Sequence, residues 1–100
     1  MTMSYVIEED INSVKSRLSN LIAQEIKKDY VKTSWNKNEL IIKIEKMGTS
    51  EISIELKDDN GTVNICEVRR KIAMMHKPFA SEVEKMVDDI LGNKLGAQRA

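Results

Sequence analysis

Residues 62–95 decide the fold of this chain, and their sequence is TVNICEVRRKIAMMHKPFASEVEKMVDDILGNKL. The first part is rich in apolar and β-branched residues and predicts a long strand. Pro78, the only proline, predicts the end of that strand because proline has no backbone N–H donor. Beyond it, apolar residues recur at three- and four-residue spacing, which predicts a helix with one apolar face. These residues are Phe79, Val83, Met86, Val87, Ile90 and Leu91. A long strand followed by a helix that folds back across the sheet builds a hydrophobic core.

The long strand changes phase along its length. Val63 and Ile65 occupy odd-numbered positions, whereas the next apolar residues occupy even-numbered ones, namely Val68, Ile72 and Met74. Because a shift of one residue moves side chains to the other face of a sheet, we expect a β-bulge around Cys66–Glu67. The alternative is that Val68 and its even-numbered partners meet a second apolar surface.

The chain before this stretch predicts one helix and three more strands. Residues 8–28 have a helical apolar stripe, acidic residues at the start and lysines at the end, as the helix dipole favours. Residues 5–7 either pack against the start of this helix or form a short edge strand. Alternating apolar residues then predict strands around residues 31–35, 40–44 and 52–56, and Asp58–Gly61 predicts a tight hairpin.

Connections this short favour antiparallel pairing of consecutive strands. We therefore predict a single α+β domain over residues 1–100 with the order α-β-β-β-β-α. Its four-stranded antiparallel meander carries both helices on one face, because the strands have one apolar and one polar side. Residues 1–5 and 96–100 are predicted to be flexible.

The composition limits the classes of function. The 100 residues are 41% hydrophobic and 32% charged, and 16 basic residues balance 16 acidic ones. A balanced charge lacks the global field that attracts nucleic acid or anionic membranes. A single cysteine, Cys66, favours a reducing compartment. With no secretory signal pattern and no apolar run long enough to span a membrane, the sequence predicts a cytoplasmic protein without a transmembrane segment.

Few residues suggest chemistry. His76 is the only histidine, and we expect a polar structural residue beside Pro78 rather than a general base or metal ligand. Zinc sites usually need several His or Cys ligands, and only His76 and Cys66 are present. Cys66 lies in no nucleophile motif, and we expect a small residue of the sheet. The sequence therefore predicts no catalytic residues, no metal site and no cofactor.

Two sets of residues are candidates for binding. The first is a groove at the junction of the last strand and helix. Flexible methionine side chains and a phenylalanine ring there would form an adaptable apolar surface. Its candidate residues are Met74, Met75, Phe79 and Met86, although packing in an ordinary core is the favoured explanation for them. The second is a basic patch for phosphates or RNA, formed by Arg69, Arg70, Lys71 and Lys77. Because aromatic stacking residues are scarce and acidic residues adjoin the patch, nucleic acid is not an expected partner.

Three segments of the chain carry a family resemblance, namely residues 31–40 (VKTSWNKNEL), 46–50 (KMGTS) and 69–91 (RRKIAMMHKPFASEVEKMVDDIL). In these segments the chain resembles the small bacterial proteins of the polyhydroxyalkanoic acid system family. The resemblance covers most of residues 8–92, and its motifs are structural. Unlike typical members, this chain has the basic sequence Arg69–Lys71 in part of an otherwise apolar strand. The resemblance implies an accessory protein of storage-polyester metabolism that grips an apolar ligand or granule surface, and it implies no catalytic residues.

The sequence thus favours a non-catalytic binding protein that uses the groove or an exposed sheet edge. The alternative is a dimeric partner-binding or chaperone-like protein that pairs through edge strands or helices. A third hypothesis is weak nucleic-acid binding by the basic patch. An enzyme is least favoured because paired acid and base groups are missing.

Overall fold

A computed structural model describes residues 3–73 and 76–99. The strands are β1 (Ser4–Glu8), β2 (Val31–Asn36), β3 (Glu39–Glu45), β4 (Thr49–Asp59), β5 (Thr62–Lys71) and β6 (Gln98–Arg99). The helices are α1 (Ile11–Glu25) and α2 (Lys77–Asp89), and the π-helical turn Ile90–Lys94 continues α2. Two helices and an antiparallel sheet form one compact α+β domain, which confirms the predicted fold class.

The predicted meander forms the larger part of the sheet. The six strands lie in the order β2-β3-β4-β5-β1-β6, so β2 to β5 are neighbours in sequence and in space. The segment that contains Tyr5 is a strand, and it pairs with β5 from Ser4↔Cys66 to Glu8↔Thr62. Residues 98–99, which we expected in a flexible tail, pair with β1 at Val6↔Gln98. The strand β1 is therefore internal and not an edge.

The first helix is shorter than the predicted residues 8–28 because its boundaries are set by local hydrogen bonds. Asp10 is the N-cap, and its side chain accepts from the N–H groups of Asn12 and Ser13 at 3.1 and 3.2 Å. Glu8 belongs to β1 instead, and the helix ends at Glu25. Such a cap stabilises a helix by about 1 kcal/mol.

The sequence predicted the start of β5 but not its end. At its start, Asn60 and Gly61 have φ angles of 53° and 89°, the left-handed geometry of a two-residue hairpin turn, as predicted. At its end, the strand stops at Lys71, well before Pro78. Pro78 lies in the first turn of α2, where its missing N–H would have no helical partner in any case.

The strand β5 contains the expected change of phase. Ile54 pairs with Glu67 and Ser53 pairs with Arg69, so Val68 is the extra residue of a β-bulge. The bulge lies one residue beyond the predicted Cys66–Glu67 position. The side chain of Val68 is 51% exposed and does not meet a second apolar surface. Because the phase changes here, Arg70 shares the face of its cross-strand partner Ile52, which is fully buried.

The core lies between the helices and one face of the sheet. Side chains from alternate strand positions meet the apolar stripes of both helices there. The most deeply buried of the larger ones are Val14, Leu18, Leu40, Ile42, Ile44, Ile52, Ile54, Leu56, Ile65, Ile90 and Leu91. In the part of the chain that is described, neither helix combines the length and hydropathy that crossing a membrane requires.

Candidate functional site

A crevice of about 260 Å³ lies between β5 and the second helix. Four of its lining residues come from α2 at helical spacing, Arg70 comes from β5, and Met3 precedes β1. The α2 residues are Ser81, Glu84, Lys85 and Asp88. The crevice is a consequence of the bulge, since without the change of phase at Val68 the Arg70 side chain would point to the other face of the sheet.

The central contact of the crevice is a forked ion pair between the sheet and the helix. Arg70 donates from Nε to Glu84 Oε2 at 3.1 Å and from Nη2 to Glu84 Oε1 at 3.0 Å. Paired parallel hydrogen bonds of this kind fix geometry better than a single charge contact does. The pair therefore sets the width of the crevice at this point.

A second carboxyl group lies beside this pair. Glu67 is buried, with 9% of its surface exposed, and its N–H donates to the Met3 carbonyl at 3.0 Å. Burial, and then a hydrogen bond and charge repulsion with Glu84, raise the pKa of Glu67 to about 7 against the opposing charge of Arg70. As a carboxylate, Glu67 leaves Oε2 with no donor among the described residues. The Glu67 carboxyl can therefore exchange a proton near neutral pH.

The far end of the crevice is held by Tyr5 and Arg99. Both donate to the Asp88 carboxylate, Tyr5 through its hydroxyl to Oδ1 and Arg99 through Nη2 to Oδ2 at 2.9 Å. Burial and the hydrogen bond to Asp88 raise the pKa of Tyr5. With Glu84 and Asp88 paired to arginines, Lys85 is a crevice cation that has no ion pair within residues 3–73 and 76–99.

Two of the four predicted groove residues, Phe79 and Met86, are described by the structure, and neither lines this crevice. Phe79 packs edge to face against Tyr30, with ring centroids 5.4 Å apart, and Lys46 Nζ lies 4.8 Å from its ring centroid. Met86 is half-buried and packs against the core. Met74 and Met75 lie outside the described residues. The structure therefore brings Phe79 and Met86 to the core side of α2, away from the crevice.

The predicted basic patch is divided between surfaces. Arg69 and Lys71 project from the outer face of β5, where Lys71 is paired across the strands with Glu51. Arg70 points to the helix face and binds Glu84. Lys77 is exposed at the start of α2. Only two of the four basic residues thus share a face.

The buried side chain of His76 forms hydrogen bonds that connect two parts of the fold. Its side chain is 1% exposed, and Nε2 donates to the Lys46 carbonyl, which can only accept. The Ser50 hydroxyl donates to Nδ1 at 2.6 Å and accepts from the Ala73 N–H at 2.9 Å. Both ring nitrogens are therefore used to hold the β3–β4 turn against the β5–α2 connection.

Cys66 is half-buried on the outer face of the sheet, and its Sγ lies 3.8 Å from Ser4 Oγ. Within the described ranges, no three His, Cys, Asp or Glu side chains converge closely enough to hold a metal ion.

Of the six residues that line the crevice, only Arg70 was a predicted site residue. The five that were not predicted are Met3, Ser81, Glu84, Lys85 and Asp88. One signal was present: the predicted bulge implies that Arg70 and Ile72 share a face, which would place a cation under the second helix. The position of Glu84 over Arg70 depends on how α2 crosses the sheet, and no local pattern encodes that angle.

The fold and the crevice define the class as a small α+β protein whose sheet and second helix form a candidate binding site. No protein-family model matches the sequence, and no curated protein matches it.

Proposed function

We propose that this chain is a non-catalytic accessory protein that binds an apolar, uncharged partner in the crevice between β5 and α2. The partner class is the storage polyester of bacteria, polyhydroxyalkanoate, as a granule surface or a short oligomer. The observation that carries this proposal is the crevice itself, with its buried Met3 side and its paired charges.

The paired carboxylates of the crevice favour a ligand that carries no positive charge. Glu84 and Asp88 are each neutralised by an arginine, at 3.0 and 2.9 Å. A strongly charged ligand would have to compete with these pairs, whereas an ester would not. Ester carbonyls accept hydrogen bonds, and the Lys85 ammonium group in the crevice lining can donate them.

The size of the crevice indicates how much of a ligand it holds. Pockets for drug-sized molecules measure roughly 300–1,000 Å³. A crevice of about 260 Å³ is slightly smaller, so it suits a few monomer units of a longer chain. This supports an accessory role at the end or surface of a polymer rather than enclosure of a whole ligand.

The binding test uses protein-free granules of poly(3-hydroxybutyrate). We expect the wild-type protein to sediment with the granules and Ser81→Arg to lose most of that binding, because the long side chain fills the crevice. Ser81 is exposed on α2, so the substitution should leave the fold intact. Cosedimentation is measured on washed pellets, with the fold checked by circular dichroism.

Ser16→Arg is the matched control, because Ser16 is exposed on α1 and does not line the crevice. It should bind like the wild type. Failure of the wild type to sediment with granules would reject the polyester as partner. Equal binding by Ser81→Arg and Ser16→Arg would reject the crevice as the site.

The alternative function, a dimeric partner-binding protein, is favoured by a different observation, the open edge of β2. Nucleic-acid binding has less support because Arg70 is paired with Glu84 and points away from Arg69 and Lys71. It would be recognised by an affinity that falls steeply with salt.

A further inference from the structure

The strand β2 is an open edge of the sheet. Among the described residues it pairs only with β3, from Val31↔Ile44 to Asn36↔Glu39, and it lies at the end of the strand order. At the opposite end, β6 has only two residues. An open edge with free N–H and C=O groups is a template for another strand.

One hydrogen bond fixes which backbone groups of β2 face outward. The Glu45 N–H donates to the Tyr30 carbonyl at 2.8 Å, so Tyr30 and Glu45 form a hydrogen-bonded pair. Bonded and non-bonded pairs alternate in an antiparallel ladder, so the groups of Lys32 and Ser34 point toward β3. Those of Val31, Thr33 and Trp35 point to the open side.

The outward groups are available for pairing. The Val31 N–H donates to the Lys28 carbonyl at 3.1 Å. The Val31 carbonyl and both backbone groups of Thr33 and Trp35 have no hydrogen bond within the described residues. Thr33 is exposed, and the neighbouring Trp35 is fixed by its Nε1 bond to Ser19 on α1 at 2.8 Å. The edge is therefore held in place and accessible.

This edge is complementary to itself in one register. In a two-fold pairing centred on Thr33, Thr33 meets Thr33 as a hydrogen-bonded pair. Val31 lies opposite Trp35, whose N–H can donate to the free Val31 carbonyl. Lys32 then faces Ser34, and no like charges meet. Threonine pairs and aromatic–β-branched pairs are favourable across strands.

The two neighbouring registers of β2 pairing are less favourable than the one centred on Thr33. Centring on Lys32 sets two lysines directly opposite each other, which is destabilising. Centring on Ser34 brings Val31 opposite Lys37, whose φ of 58° lies outside strand geometry. The chemistry of the edge thus selects both a partner, a second copy of this chain, and a register.

We propose that the protein forms a two-fold symmetric dimer by antiparallel pairing of β2 about Thr33, which joins the two sheets into one. This dimer goes beyond the proposed polyester binding and uses a different surface. Six-residue strands bury much less than the about 800 Å² per partner of a standard interface. The dimer therefore dissociates on dilution, with a dissociation constant in the micromolar range.

The test is sedimentation velocity at rising protein concentration with three chains. We expect the wild type and Thr33→Val to dimerise alike, because valine keeps the backbone and the β-branched shape. Thr33→Pro removes the two Thr33 N–H bonds of the dimer but no bond to β3, and it should weaken dimerisation by about thirtyfold. Edge strands accept proline at outward-facing positions.

Hydrogen exchange in the wild-type protein provides a second test, which does not depend on correct folding of the proline variant. Hydrogen exchange at the Thr33 and Trp35 amides should slow as concentration rises, whereas exchange at exposed Lys37 should not change. A wild type that stays monomeric at every concentration would overturn the proposal. So would a folded Thr33→Pro that dimerises as strongly as Thr33→Val, or a concentration-independent exchange rate at Thr33.

Discussion

The variant His76→Phe is expected to lower the free energy of unfolding by about 2–4 kcal/mol, the cost of leaving buried polar groups without partners. Phenylalanine keeps the ring in place but cannot bond to the Lys46 carbonyl or accept from the Ser50 hydroxyl. For a domain of this size, the midpoint of thermal unfolding should fall by about 10 °C or more. Urea and thermal unfolding followed by circular dichroism measure both quantities.

The control is Lys77→Ala, which changes an exposed residue beside His76 and should alter stability by less than about 0.5 kcal/mol. If His76→Phe proved as stable as Lys77→Ala, the hydrogen-bonded connection between the hairpin turn and α2 would not contribute to stability. A strong loss in the phenylalanine variant alone would establish a structural role for the only histidine.

The variant Glu67→Gln is expected to make the protein more stable than the wild type at pH 8 by about 2 kcal/mol. The pKa of Glu67 is raised from 4.5 to about 7 in the folded chain. A raised pKa stabilises the fold fully below pH 4.5, and that stabilisation is lost as pH rises through 7. Glutamine imitates the protonated carboxyl at every pH. The expected difference in stability of about 2 kcal/mol allows for partial screening of the Glu67 carboxyl by solvent.

Unfolding in urea at several pH values measures this effect as the difference between variant and wild type. The difference should be near zero at pH 4.5 and should grow toward pH 8. Glu45→Gln, which removes an exposed carboxylate of β3, is the control and should show no such growth. A Glu67→Gln difference that is constant with pH would contradict the raised pKa.

The fold could be predicted largely from sequence because its signals are local. Alternating residues such as Ile52, Ile54 and Leu56 mark strands, and Asn60–Gly61 marks a tight turn. The bulge could also be predicted, since the phase of apolar residues changes on either side of Val68. These features depend on short stretches of chain and on the two faces of a strand.

Other features could not be predicted because they depend on distant contacts. Tyr5 lies in a strand beside β5, more than 50 residues away in sequence, and five residues carry too little pattern to show it. The roles of His76 and Glu84 depend on where the β3–β4 turn and α2 come to rest. Composition showed that charges balance, but not that Arg70 would pair with Glu84 and separate from Arg69.

Binding of a polyester in the crevice is the central part of the proposed function, and such binding can be mapped residue by residue. The measurement is a titration of the ¹⁵N-labelled protein with a soluble oligomer of 3-hydroxybutyrate, followed by amide chemical shifts. We predict saturable shift changes centred on Arg70, Ser81, Glu84 and Lys85, with the outer-face residue Lys71 little affected. Shift changes that avoid α2, or no changes at any oligomer concentration, would contradict the account.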